Sequence, residues 1–162
     1  MITDSFLRLS GSLTAGASSA TSTTGQDLSQ VAADYNSENV IDLSLARDIG
    51  EGQQLYAVFT VTEAFTSGGA ATLAINVVVS AATALTGPTS VGTVSAQAMA
   101  ALTIGAQFVV PIKPLVGSLG LRYLGAIYTI ATATTTAGAM TADIVTDIQD
   151  GKKYYASGFT AL

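Results

Sequence analysis

Alternation of apolar and polar positions is the clearest signal in this chain. Leu55, Ala57, Phe59 and Val61 fall on one side of an extended segment, and Tyr56, Val58, Thr60 and Thr62 fall on the other. That period of two predicts a strand over 55–62. Residues 72–80 repeat it, with Leu73, Ile75, Val77 and Val79 toward a core. A shorter alternation over 40–45 sets Ile41, Leu43 and Leu45 against Val40, Asp42 and Ser44. Residues 107–113 offer Phe108, Val110 and Ile112 to one side, and Pro111 assigns that strand to a sheet edge because proline donates no ladder hydrogen bond. Residues 121–130 are apolar on both faces, with Leu121, Tyr123 and Ile127 on one and Leu124, Tyr128 and Ile130 on the other. Such a strand belongs in the middle of a sheet or under a neighbouring chain.

Weaker patterns fill the rest. A short strand is expected over 90–95, a single helical turn over 96–102 and a last strand over 141–148. Glycine-bearing turns punctuate the chain at 47–52, 67–69, 87–88 and 134–138. Residues 2–9 alternate in part, as a short strand or a docking arm would. Residues 10–33 are rich in Ser, Thr, Gly and Ala with almost no large apolar side chain, so alone they are expected to be mobile and to order on contact with a partner. A short helix over 27–35 has weak support. The aromatic segment 154–159 is expected to dock rather than hang free. These elements predict an all-β fold: a jelly-roll sandwich of about eight short antiparallel strands with an extended N-terminal arm. The division is an arm and Ser/Thr-rich loop over 1–39 and a sandwich over 40–162. No repeat of solenoid or propeller length is visible.

Composition changes the picture sharply. Only 10% of the 162 residues are charged, none of them between Glu63 and Lys113, and the chain holds no His, Cys or Trp. A free-standing domain displays about 25% charged residues, so this exterior reads as one meant to be covered. The net charge of −5 and the scattering of six basic residues exclude nucleic acid as a partner. The most apolar stretch, 70–85, is interrupted by Thr72, Asn76, Ser80 and Thr83 and is rich in β-branched residues, which excludes a membrane-spanning helix. Residues 1–10 carry Asp4 and Arg8 and have no hydrophobic stretch of a signal peptide.

Catalytic groups are scarce. Without histidine there is no base for a nucleophilic triad, and Lys113, Lys152 and Lys153 sit beside proline or in polar turns. Paired carboxylates such as Asp48 with Glu51, or Asp147 with Asp150, read as turn residues before they read as a glycosidase pair. Asp143, Asp147 and Asp150 are the best calcium candidates, but they lack the dense alternation of a calcium loop and lie close to Lys152 and Lys153. We therefore expect no enzyme, no cofactor and no metal. Tyr123, Tyr128, Tyr154, Tyr155 and Phe159 suit either a sugar platform or subunit contacts, and the absence of tryptophan favours contacts.

Several stretches then carry a resemblance. Ile41-Asp42-Leu43, the run Ala46 to Gly52, Leu55-Tyr56-Ala57-Val58, Arg122-Tyr123-Leu124-Gly125 and Tyr154 to Phe159 resemble, in order, the jelly-roll cement proteins of short-tailed bacteriophages, as does Asp4-Ser5-Phe6-Leu7 at the start. The resemblance implies a non-enzymatic component of the virion, made in the host bacterial cytoplasm and bound outside the shell of major capsid proteins. It further implies a small symmetric oligomer, a dimer ahead of a trimer. The expected partner contacts are Arg47, Asp48 and Glu51 in the charged turn, with Tyr154, Tyr155 and Phe159 near the end. For the turn, an internal salt bridge is an equal reading. A carbohydrate-binding or host-adhesion sandwich is the second functional reading, and a degraded hydrolase using Asp143 or Asp147 the third.

Overall fold

The computed structural model describes residues 5–11, 25–43, 54–113, 121–146 and 148. Ten strands run through them: β1 (Arg8–Ser10), β2 (Gln26–Asp27), β3 (Asp34–Asn36), β4 (Ile41–Asp42), β5 (Tyr56–Ser67), β6 (Thr72–Ser80), β7 (Thr89–Ala98), β8 (Gln107–Pro111), β9 (Tyr123–Ala131) and β10 (Thr135–Val145). Single 3-10 turns at Ser5–Leu7 and Met99–Ala101 are the helical elements among the described residues. The alternating positions of β5 and β6 are buried as their period requires: Ala57, Phe59 and Val61 face Leu73, Ile75, Val77 and Val79 in one core cluster.

The strands form two antiparallel sheets. One has the order β1-β10-β5-β8 with β2 also on β10, and the other β3-β9-β6-β7 with β4 also on β9. The pairings nest. β6 with β7 lies inside β5 with β8, which lies inside β3 and β4 with β9, which lies inside β1 and β2 with β10. A nested hairpin folded over on itself in this way is a jelly roll. Two of its eight strand positions are split. Ser10 lies opposite Ala142 and Gln26 opposite Met140, so the chain leaves one sheet edge after Gly11 and returns to the same edge at Gly25. The second split falls between β3 and β4. There the Ser37 hydroxyl accepts the buried Ala126 N–H at 3.0 Å while Ser37 N–H donates to Ala126 O at 2.7 Å, so the break leaves neither group unsatisfied.

A bulge on β1 sorts three consecutive side chains. Arg8 pairs with Asp143 and Ser10 with Ala142, and the extra residue between them is Leu9. Without it Arg8 and Ser10 would share a face. With it, Leu9 and Ser10 turn to the core and Arg8 to the opposite face. The Ser10 hydroxyl meets the Tyr128 hydroxyl at 2.6 Å, and the Tyr128 ring stands edge-on to Phe59, 6.1 Å between centroids. Tyr128 is fully buried, and that desolvation pushes its hydroxyl well above its ordinary pKa, against the opposing hydrogen bond from Ser10. On the other side Arg8 Nε and Nη2 donate to the two Asp143 carboxylate oxygens at 2.7 and 3.0 Å, both residues being 5% exposed. Arg8 Nη1 is buried without a hydrogen-bond partner.

The expected β6 matches its observed bounds. β8 is an edge strand, as Pro111 required, and β9 is central. Other expectations are corrected. β5 continues past Thr62 to Ser67, and of the turn expected at 134–138 residues 135–138 are strand. The actual reversal precedes it, at Thr132 with φ +75°. Gly138, at φ +142°, sits within β10 where a β-carbon would strike the Phe65 ring. No helix forms over 27–35. The end of the expected mobile stretch is docked instead: Leu28 is fully buried, its N–H donates to Gly138 O, and the Thr135 hydroxyl donates to Leu28 O. The sandwich thus draws strands from both sides of residue 40.

The buried pair gives a stability test. Replacing either Arg8 or Asp143 by Ala leaves the other charge buried and unpaired, and is expected to cost about 3–5 kcal/mol in denaturant unfolding. Arg8→Met combined with Asp143→Leu is expected to recover much of that loss. A single-site cost below about 1 kcal/mol would place the pair in an exposed, screened setting. Tyr128 supplies a second test. Its unfolded form ionises near 10.0 and its folded form well above that. Above about pH 10 the unfolded state therefore binds fewer protons, and stability falls as pH rises. Tyr128→Phe is expected to flatten that alkaline decline while lowering stability at neutral pH by about 1–3 kcal/mol, through the unpaired Ser10 hydroxyl.

Candidate docking surfaces at the two ends of the sandwich

Antiparallel strands send successive connections to alternate ends. One end gathers the β2–β3 connection (28–33), the β5–β6 connection (68–71), the β7–β8 connection (99–106) and the β9–β10 connection (132–134). Not one residue of these four carries a charge. They are also tied to the strands beneath. Thr135 N–H donates to Gln30 O at 3.0 Å, Gln30 N–H to the Thr135 hydroxyl at 2.9 Å, Ile130 N–H to Ala33 O at 3.0 Å, and the Ser67 hydroxyl to Thr134 O at 2.7 Å.

The β7–β8 connection is the most firmly held. Leu102 is buried and its carbonyl accepts Phe65 N–H at 3.1 Å, while Gly105 N–H donates to Val61 O and Val61 N–H to Ala106 O, each at 2.9 Å. Ala106 N–H closes a turn onto Thr103 O at 2.9 Å, and Gly105 takes the φ of +82° that the third position of a type II turn demands. Ile104 is left at the apex of that turn, 70% exposed; on the 28–33 connection, at the opposite edge of the sandwich, Val31 is 60% exposed.

Carboxylates border this end. Asp27 and Glu63 both lie opposite Ala139, one on each side of β10, and Asp34 begins β3. All three are exposed. Asp27 accepts the Ser29 hydroxyl at 2.5 Å and the Ser29 N–H at 2.8 Å, which holds its carboxyl below the usual range and keeps it ionised. Asp34 accepts the Thr129 hydroxyl at 2.6 Å.

The opposite end is different. Arg122 grips Asp42 through two hydrogen bonds of 2.8 and 2.6 Å and lies 5.3 Å from the centroid of the Tyr123 ring. Lys113 is exposed nearby in sequence to β8, beside a shallow groove of about 350 Å3 lined by Gln54, Val91, Gly92, Val110 and Pro111. The 81–88 connection folds back so that Leu85 covers Gly125, leaving the rest of that sheet's outer face open. The open part is an uncharged row, Thr93-Asn76-Ile127-Asn36, above Ala74 and Thr129.

The six residues expected to touch a partner, Arg47, Asp48, Glu51, Tyr154, Tyr155 and Phe159, lie outside the described residues. Asp147 and Asp150 do too, so of the calcium candidates the structure places Asp143 alone, and Arg8 occupies both its oxygens. Among the described residues no group of three or more His, Cys, Asp or Glu could hold a metal ion. Of the tyrosines considered for a sugar platform, Tyr128 is in the core and Tyr123 is half-buried under Arg122. Sequence reasoning missed the uncharged end. Its local trace is faint, a lone Val31 and a lone Ile104 in runs of Ala, Thr and Gly.

The model of the Bbp16 family matches residues 23–144, from just before β2 to nearly the end of β10. The chain belongs to the Bbp16 family. That name points to a phage-related protein. A search of curated proteins finds no match. The Bbp16 match takes in all four connections of the uncharged end and stops short of Arg8. Among the described residues no helix is long and apolar enough to cross a membrane.

Proposed function

We propose that this Bbp16-family protein is a structural virion component that binds the outer surface of a phage capsid and cements neighbouring major capsid proteins. The observation that carries this reading is the exposed, uncharged end of the sandwich, held in place by hydrogen bonds rather than left loose. Interface centres are depleted in charge, and a rigid surface loses little entropy on binding. The reading assigns no catalysis: Asp27 holds a turn, and Asp42 and Asp143 are each engaged by an arginine. A protein that binds assembled capsid proteins better than separated ones stabilises the assembly by linkage. If it works as a dimer or a trimer gripping several of them, modest single contacts add up. A standard interface of roughly 1,600 Å2 is ample for this.

The test is to add purified protein to shells that lack it. Stoichiometric binding and a higher temperature of shell disruption are expected, by light scattering or calorimetry. Unchanged disruption at saturating protein would overturn the cement role, and saturable glycan binding without shell binding would move the protein to the adhesion reading.

A further inference from the structure

We infer that the free outer edge of β8, over Gln107–Val109, takes an extended segment of a capsid protein as an added strand, with a carboxylate of that segment set against Lys113. The inference rests on the capsid-binding reading and adds a flank, a mode of contact and a chemistry for the partner. Three observations carry it. First, hydrogen bonds fix which backbone groups of β8 are free. Val61 N–H donates to Ala106 O and Ile112 N–H to Leu55 O, each at 2.9 Å, so Ala106, Phe108, Val110 and Ile112 turn their backbone groups toward β5. Gln107, Val109, Pro111 and Lys113 turn theirs away. Lys113 confirms the alternation, since its N–H donates to Val91 O on β7 at 3.1 Å. Among the described residues no strand pairs with β8 on that side. The N–H and C=O groups of Gln107 and Val109 are therefore open to an added strand, and Pro111 brings no donor. Four groups make a short clip, which discourages the open-ended stacking of whole sheets.

Second, this edge continues from the uncharged end. The β7–β8 connection enters β8 at Gln107, directly after the hydrogen-bonded turn that carries Ile104. The far end of the edge is closed by β7, where a β-carbon on Gly92 would strike Val110 and Pro111 O. The shallow groove of about 350 Å3 lies there, lined by 90–93 of β7 and by 110–113. A segment seated on the uncharged end can pass up the flank along Gln107 and Val109 and enter this groove.

Third, the groove has one charge and no counter-charge. Of the described cations, Arg8 is held by Asp143 and Arg122 by Asp42, whereas no carboxylate among the described residues pairs with Lys113. Lys113 is exposed at the groove, and β7 and β8 carry no charge of their own. It lies four residues beyond Val109, about 13 Å of extended chain. An uncharged segment with one Asp or Glu about four residues from its contact with Val109 matches this edge, and a basic segment is repelled by it.

Val109→Pro removes an outward N–H and no bond of the β5 ladder, so the fold is expected to survive it. Gln107→Pro is a second variant of the same kind. Each is checked for its melting temperature and titrated onto shells lacking the protein, with a loss of about tenfold or more in affinity expected. Val109→Thr keeps the N–H and is expected to bind like the wild type. Lys113→Ala is expected to bind about twofold to fivefold more weakly, with a flatter salt dependence. If the wild type binds and both folded proline variants bind equally well, this inference falls and the capsid-binding reading stands. If Val109→Thr loses as much as Val109→Pro, the contact is made by the side chain and strand addition is overturned. Unchanged affinity and salt dependence in Lys113→Ala overturn the acidic partner, and that variant decides the matter if the proline variants lose their fold. If the wild type does not bind, the inference and the reading both fall. A wild-type oligomer that Val109→Pro converts to monomers in sedimentation assigns the edge to contact between copies and overturns the inference.

Discussion

Antiparallel nesting is the constraint on which the rest of this molecule depends. Each strand returns beside its partner in the opposite direction, so successive connections must fall at alternate ends. No local sequence places residues 28–33 beside 132–134; the pairing of Asp34 with Thr129 and of Gln26 with Met140 does. The same pairing sets Asp27 and Glu63 on either side of Ala139 and sends Arg122 to the far end with Asp42. One end becomes uncharged and the other charged because of topology applied to a chain whose ionisable groups are unevenly spread.

How much of this was legible depends on how local the signal is. β6 could be read whole because Leu73, Ile75, Val77 and Val79 alternate between two clear glycine-bearing breaks. Pro111 announced an edge through its missing donor. β2 and β3 could not be read, since each is two or three residues long and is stabilised by partners about a hundred residues away. Gly138 looked like a turn residue, and the structure uses its missing side chain to let Phe65 pack. The uncharged end was half visible. The charge-free run from Ala64 to Ile112 supplies two of its connections, but the other two join it only in three dimensions. The resemblance to cement proteins drew the contact residues to the charged turn and the C-terminal aromatics. Those six lie outside the described residues.

A surface so poor in charge must avoid edge-to-edge pairing without the usual lysines. The described edges use other means. β8 carries Pro111. β7, a long edge with neither charge nor proline, shifts register twice against β6, between Leu73 and Ile75 and between Val77 and Val78. The remaining edges are split into pieces of two or three residues, β1 with β2 and β3 with β4. Shortness, bulges and proline make the backbone hard to extend; β7 and β8 do this without charge, while the four short pieces each carry one charged residue, Arg8, Asp27, Asp34 and Asp42. The buried Arg8–Asp143 fork belongs to the same economy: it holds one of these short pieces by side chains where the ladder offers few bonds.

These devices bear on why a rigid, weakly charged end suits a lattice. Burying one aliphatic side chain such as Ile104 is worth about 1.5–3 kcal/mol, too little for a lasting contact against the cost of association. If the protein binds a shell as proposed, the relevant quantity is the sum over many equivalent contacts, each made through a connection already held by hydrogen bonds. A flexible loop with the same isoleucine would lose part of that gain at every site. The hydrogen bonds of Leu102, Gly105 and Ala106 to β5 keep it.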